Sequence, residues 1–307
     1  MNPNLTEMTD TNNFTFSRIA HPSNRLISGA ALLSISAWCC LASAEEAVPK
    51  VITPRETIDL LEVLSGPDRH FQLDVGKSVN SDPEKVWRFN ADGGLRINGE
   101  GLGYVRTAHA YQNYHLVIDY RWGELTHGPR KDRARDGGLL LHCFGPDGAL
   151  GGSWPSCIEV QMIEGGSGNI LILAAKDETG KSAPTQATFT AALDRNGDPV
   201  WAPGGETRTY PVGGRAVTRI GWKSRDPGWT DQRGYRGAND VEKPLGEWNR
   251  MEVVCEDTTL RVILNGIQIN EATGIHPLAG YIGIKSEFAD YDVRRWELHP
   301  IGAFDDK

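Results

Sequence analysis

Short runs of alternating apolar and polar residues, cut by Gly, Asp and Asn turns, recur from Phe71 to Leu298, and no segment carries the spacing of a long amphipathic helix. Residues 114–122 set Leu116, Ile118, Tyr120 and Trp122 on one face and His115, Val117, Asp119 and Arg121 on the other. The run 95–98 follows the turn Asp92-Gly93-Gly94. The run 260–264 enters Asn265-Gly266, a type I′ hairpin pair, and leaves through Ile267-Gln268-Ile269. Further runs at 139–144, 158–163, 170–174, 251–256, 281–284 and 292–298 bring the count to about a dozen short strands. That pattern predicts an all-β chain built as an antiparallel sandwich. Its 35 Gly and 17 Pro among 307 residues suit such a turn-rich fold. No internal repeat of fixed period is present.

Charge narrows the partners. With 32 Lys and Arg against 40 Asp and Glu, the chain lacks the positive field that a polyanion needs, so no nucleic-acid partner is expected. The N-terminus predicts export. Arg18 and Arg25 precede an uncharged run, 26–44, that closes on Ala42-Ser43-Ala44 before Glu45-Glu46. A basic region, an apolar region and an A-x-A site describe a secretory signal cleaved after Ala44, residues 1–44 in all. A 19-residue uncharged run is also just long enough for an uncleaved anchor. Trp38 and Cys39 before Cys40 do not make a lipobox. Cleavage leaves no further span and a periplasmic or extracellular chain. The three remaining cysteines, Cys143, Cys157 and Cys255, allow one disulfide and a thiol, or three buried thiols.

Residues 45–68 read as a lead-in with a short helix at 56–64, and 69–307 as the domain proper. One stretch breaks the rhythm. Residues 193–244 are rich in Gly, Pro and charge yet hold Trp201, Tyr210, Trp222, Trp229 and Tyr235, which suggests a cover over a binding face.

The densest polar constellation lies at 154–164. As a strand it sends Ile158, Val160 and Met162 to the core and Glu159 and Gln161 to the other face. A carboxylate and a carboxamide there either line a groove or belong to a solvated outer face. Glu164 joins them only through a bulge. In 136–144, His142 lies among Leu, Cys and Phe, as a hydrogen-bonded structural residue or, if it shares the Glu159 face, as an acid, base or ligand. Strict alternation makes that shared face compete with a Cys143–Cys157 disulfide, unless a strand end or bulge intervenes, because Cys157 has the parity of Glu159. The histidines show no HxH or HExxH spacing, so no dedicated zinc site is expected. No phosphate-binding loop or nucleophile elbow occurs.

Two resemblances follow. The run Glu159-Val160-Gln161-Met162-Ile163-Glu164 is similar to the ExDxxE signature of retaining β-glucanases, with Gln161 in the place of the middle Asp. From about Asp82 to Ile301 the chain resembles the 3-keto-disaccharide hydrolase domain of exported bacterial proteins. The resemblance rests on DPEKVWRFNADGGLRINGEGLGYVRT, YQNYHLVIDYRWGE, DGGLLLHCFGPDG, WPSCIEVQMIEGG, GEWNRMEVVC, RVILNGIQIN and YIGIKSEFADYDVRRWELHPI, in that order. That family often has Arg at the place of His142 and Asn-Ser at the place of Asp136-Gly137. The resemblance implies a concanavalin A-like jelly-roll of two sheets with a concave sugar-binding face, and an enzyme that cleaves 3-keto-glycosides.

The ketone of such a substrate acidifies the C2 proton. A base removes it, the C1 substituent leaves, and water adds. The site needs a base, a proton donor, and an oxyanion stabiliser that is a cation or a divalent metal ion. Glu159 and His142 are the expected acid–base pair, in either order. Lys285 or Arg135 would steady the enolate. Gln161, Asp136 and Glu287 would bind hydroxyls, and Trp154 would stack on the ring. A retaining glycosidase would instead pair Glu159 with Glu164. A lectin-like module would use the same fold and aromatics without any acid–base pair.

Overall fold

Alternation builds both sheets. In a computed structural model that describes residues 50–176, 185–211 and 215–303, strand Tyr114–Thr126 runs between Asn249–Glu256 and Ala289–His299 at the centre of an eleven-stranded sheet. Leu116, Ile118, Tyr120 and Trp122 all enter the core, as the pattern predicts. The second sheet has seven strands in the order Val217–Ile220, Ile170–Leu173, Ser156–Ile163, Asp136–Phe144, Tyr281–Glu287, Leu102–Thr107 and Arg69–Leu73. All of its pairings are antiparallel. Leu139, Leu141, Ile158, Val160, Met162, Ile170, Ile172 and Ile284 meet the larger sheet in one shared core. The result is a jelly-roll β-sandwich. No helix among the described residues is long and apolar enough to cross a membrane. The signal segment 1–44 and its cleavage site lie outside the described residues.

The segment expected as a lead-in is part of this sandwich. Val51–Ile52 pairs with Ala110–Tyr111, and Ile58–Asp59 pairs with Leu298 and Glu297. The helix falls at Leu60–Ser65 rather than 56–64, because Asp59 caps it by accepting from Leu61 N at 2.8 Å and Glu62 N at 3.3 Å. Leu60, Leu61 and Leu64 are buried against the core.

The smaller sheet carries a bulge where alternation fails. Leu140 pairs with Gly283 and Cys143 with Tyr281, three residues against two. On the other side Leu141 pairs with Ile158 and Phe144 with Ser156, again with one residue too many. The extra residue is His142, at φ +53°. Gly280 passes so close that a Cβ there would lie 2.3 Å from the His142 carbonyl carbon, so only glycine fits. Beyond the bulge the parity resets, which brings Cys143 into the same outer cluster as Cys157. Cys143, Cys157 and Cys255 are all buried free thiols.

The stretch 193–244 is only partly a cover. Its described residues include strands Pro199–Trp201, Glu206–Tyr210 and Val217–Ile220, which extend the two sheets. The rest is held by Glu242, a buried carboxylate that accepts from Tyr120 Oη (2.9 Å), Trp122 Nε1 (3.0 Å), Ser167 Oγ (2.9 Å) and Gly165 N (2.7 Å). Four donors satisfy the lone pairs of one ionised carboxylate. Removing it takes the shared acceptor from those four donors. Glu242→Ala is therefore expected to cost at least about 3 kcal/mol in denaturant unfolding, with Glu242→Gln in between.

Candidate functional site

The smaller sheet is covered on both faces, which explains why its strands read as nearly unbroken apolar runs. On the outer face Tyr104, Leu140, Cys143, Cys157, Leu171 and Leu173 form a second apolar cluster, with Leu150, Trp154 and Tyr281 packed on it. Glu159 stands in this face, between Leu140 and Leu171 on the neighbouring strands, and is 2% exposed. An isolated carboxylate there would be costly. Lys285 meets it, with Nζ 2.7 Å from Glu159 Oε1 and 2.7 Å from Glu287 Oε2. Beneath them Gly138 leaves the room, since a Cβ would lie 2.8 Å from Glu159 Oε1 and 3.2 Å from Lys285 Cδ.

A second ion pair adjoins the first. Asp136 accepts from Arg130 through Oδ2, and from Gln161 Nε2 at 3.4 Å through Oδ1. Arg130 also lies 3.0 Å from Asp231 and 3.8 Å from Glu287. Trp154 caps the group, its ring centroid 4.6 Å from Lys285 Nζ. Its loop is anchored at Asp147, which bonds Tyr104, Arg106 and His70, and at Gly151 and Gly152, whose carbonyls accept from Lys77 (2.6 Å) and Gln72 (3.1 Å). Above lies an open cleft of 520 Å³ lined by Trp154, Glu287, Arg130, Arg133, Val217 and Leu150.

The charges sort themselves by burial and neighbours. Burial raises the Glu159 carboxyl, with Lys285 pulling against it. Burial also raises Glu287, but Lys285 and Arg130 outweigh it and leave the group below its usual range. Burial and then Glu287 push Asp136 up to about 7, against Lys285 and Arg130. Burial opposes the Lys285 charge, yet Glu159, Glu287 and Asp136 more than compensate and hold the ammonium protonated. Among the described residues, no group of three His, Cys, Asp or Glu side chains is placed to hold a metal ion.

Six of the eight expected residues thus come together: Glu159, Lys285, Glu287, Asp136, Gln161 and Trp154. Two do not. His142 points between the sheets, edge-on to Tyr114 at 5.7 Å, with Nδ1 2.9 Å from the Pro277 carbonyl. The bulge turns it away from the Glu159 face, so it is no partner for Glu159. Arg135 faces the end of the sandwich, where it meets Glu164 at 2.7 Å and donates to the Gly123 carbonyl at 2.6 Å. Glu164 is held there, beside a separate cavity lined by Arg233, Arg236 and Glu242. The carboxylate pair of a retaining glycosidase is therefore not formed. Sequence reasoning missed Arg130, Asp231 and Asn169. Each lies in a turn or loop, where periodicity carries no information, and Arg130 looks like any surface arginine until Asp136 is seen beneath it.

A jelly-roll sandwich with a buried acid–base cluster under an aromatic-rimmed cleft defines a carbohydrate-active protein. The chain belongs to the 3-keto-alpha-glucoside-1,2-lyase-like domain family, whose sequence profile matches residues 73–298. No curated protein matches it. Among solved structures, a Parabacteroides distasonis protein ascribed to the glycosyl hydrolases is 14% identical, covering 80% of this chain and 94% of its own, with a TM-score of 0.42. The carbohydrate binding module CBM66 from Bacillus subtilis is 10% identical over 75% of this chain and 94% of its own, TM-score 0.34. LamAcat from Zobellia galactanivorans is 10% identical over 76% and 92%, TM-score 0.37.

The placement of His142 has a thermodynamic signature. Burial lowers its pKa from 6.5 to about 4, partly offset by the bond to Pro277. Between those values the unfolded chain binds a proton that the folded chain refuses, so stability is lost as pH falls through the window. At 1.36 kcal/mol per unit the loss is about 3 kcal/mol between pH 7 and 4. Urea unfolding at the two pH values should show that much less acid sensitivity in His142→Asn, which tolerates the positive φ and does not titrate.

Proposed function

We propose that this protein cleaves 3-keto-glycosides by taking the C2 proton, expelling the C1 substituent and adding water across the resulting double bond. The observation that carries this reading is Lys285, a buried ammonium fixed between Glu159 and Glu287 beneath Trp154, which with Glu287 lines an open cleft. Elimination next to a ketone asks for a base stronger than a solvated carboxylate, and for a positive charge already in place where the enolate oxygen forms. Glu159, raised by burial, is the base. Lys285 is the stabiliser of the enolate. The proton on Glu159 is then available to the departing oxygen, and Glu287 and Arg130, which line the cleft, hold the sugar hydroxyls. Trp154 stacks on the ring after lifting from Lys285, since Glu159 and Lys285 are otherwise covered. Asp136 adjusts the charge around Lys285 without touching sugar. The mature chain acts outside the cytoplasm, starting at Glu45.

The test is turnover of 3-keto-glucosides against the unoxidised glucosides. Glu159→Gln keeps the shape and is expected to lose at least ~100-fold in kcat/KM, with a comparable loss for Lys285→Met. In D₂O the released keto-sugar should carry deuterium at C2, with exchange of the free product measured in parallel. Equal hydrolysis of unoxidised glucosides, or sugar binding without turnover, would overturn the elimination reading. Mass measurement of the exported chain is expected to give Glu45 as its N-terminus. A chain that keeps residues 26–44 would exclude that processing.

A further inference from the structure

Asp136 is held by a chain of hydrogen bonds whose direction is fixed at its far end. The backbone N–H of Trp222 can only donate, and it reaches Asn169 Oδ1 at 3.2 Å. With its oxygen so placed, Asn169 turns Nδ2 the other way, onto Gln161 Oε1 at 3.2 Å. The Gln161 oxygen is then occupied as an acceptor, and Nε2 is the end left facing Asp136 Oδ1. Arg130 donates to the other carboxylate oxygen. Asn169, Gln161 and Asp136 are 1%, 3% and 1% exposed, so the links are shielded from bulk solvent. Both oxygens of Asp136 are met by N–H groups, and donors to a carboxylate favour its charged form.

We propose that Asn169 and Gln161 form a one-way amide relay that keeps Asp136 in its carboxylate form. Neither residue touches substrate, so both are positioning residues. The relay works against strong opposition. Burial and the carboxylates of Glu287 and Glu159 favour the neutral acid, while Lys285 on the same strand as Glu287, and Arg130 from the Gly128–Arg130 turn, favour the anion. Asp231 stands behind Arg130, and the Tyr291 hydroxyl lies below, engaged with the Lys285 carbonyl. The direction of the Gln161 amide, which sets whether an N–H or an oxygen faces Asp136, therefore bears on the charge of Asp136 and on the number of negative charges around Lys285. Its kinetic consequence rests on the elimination reading above; the relay itself does not.

The experiment is a ¹³C-carboxyl NMR titration of Asp136 in the full chain, with Asp136→Asn identifying the resonance. Gln161→Met removes the donor and is expected to raise the Asp136 midpoint by about one pH unit or more. Asn169→Asp keeps an acceptor for Trp222 but cannot donate to Gln161, so the amide turns over and the midpoint rises again. Asn169→Ser, too short to reach Gln161, should give a rise without any added charge. In the Gln161→Met background Asn169→Ser should add nothing, because the amide it acts through is gone. An unchanged midpoint in Gln161→Met, or additive shifts in the Gln161→Met, Asn169→Ser double variant, would overturn the relay. In turnover of 3-keto-glucosides the acid limb of the pH profile should move up with the NMR midpoint. Shifted midpoints in a chain with no turnover would leave the relay standing and remove the function.

Discussion

A buried ammonium ion is expensive unless its surroundings are arranged around it. Lys285 brings one to the outer face of the smaller sheet, and much of the site follows from the need to keep it there. Glu159 and Glu287 supply the opposite charge, the first from across the intervening strand Asp136–Phe144 and the second from two residues along the strand of Lys285 itself. That leaves excess negative charge, which Arg130 offsets from above while binding Asp136 and Asp231. Gly138 gives up a side chain so that the ammonium and Glu159 can lie flat on the sheet. Trp154 closes the top with an aromatic face, which attracts a cation and excludes water without adding a hydrogen-bonding competitor.

The same arrangement separates support from chemistry. Asp147 and the glycine carbonyls hold the loop that carries Trp154, from strands that take no part in the cluster. The Glu242 carboxylate holds another loop at the end of the sandwich, and Asp231, from the same 193–244 stretch, braces Arg130. Loops around the cleft and the sandwich end are thus tied down by carboxylates of their own, Asp147 half-buried and Glu242 buried. The ions that face the cleft are free to be placed for their reactivity.

How far the sequence was legible depended on whether a face alternated. At 114–122 the core side and the outer side differ in polarity, and every core-facing residue was readable. At 158–163 the same rule placed Glu159 and Gln161 together, and it placed Lys285 and Glu287 on their strand. The rule fails at 139–144, where both faces are apolar. Nothing in Leu-Leu-Leu-His-Cys-Phe marks an inserted residue, and the positive φ of His142 is a demand of register that side-chain polarity does not record. Arg135 was misplaced for a related reason, since it precedes the strand and turns to the sandwich end. Arg130 and Asn169 are contributed by a turn and a loop, and only the folded chain shows what they touch.

The bulge at His142 also says something about chain length. Strand neighbours on both sides count three residues of this segment against two of their own. Leu141 faces inward and Cys143 outward, which is the order they would take if His142 were not there. The extra residue therefore changes neither face: it is a spacer in register, accommodated by Gly280 opposite and by the room beside Tyr114. A chain shorter by that one residue would present the same Asp136, Gly138 and Leu140 to Glu159 and Lys285. Length variation at this point is silent to the site, although between Asp136 and Leu140 it would turn side chains to the opposite face.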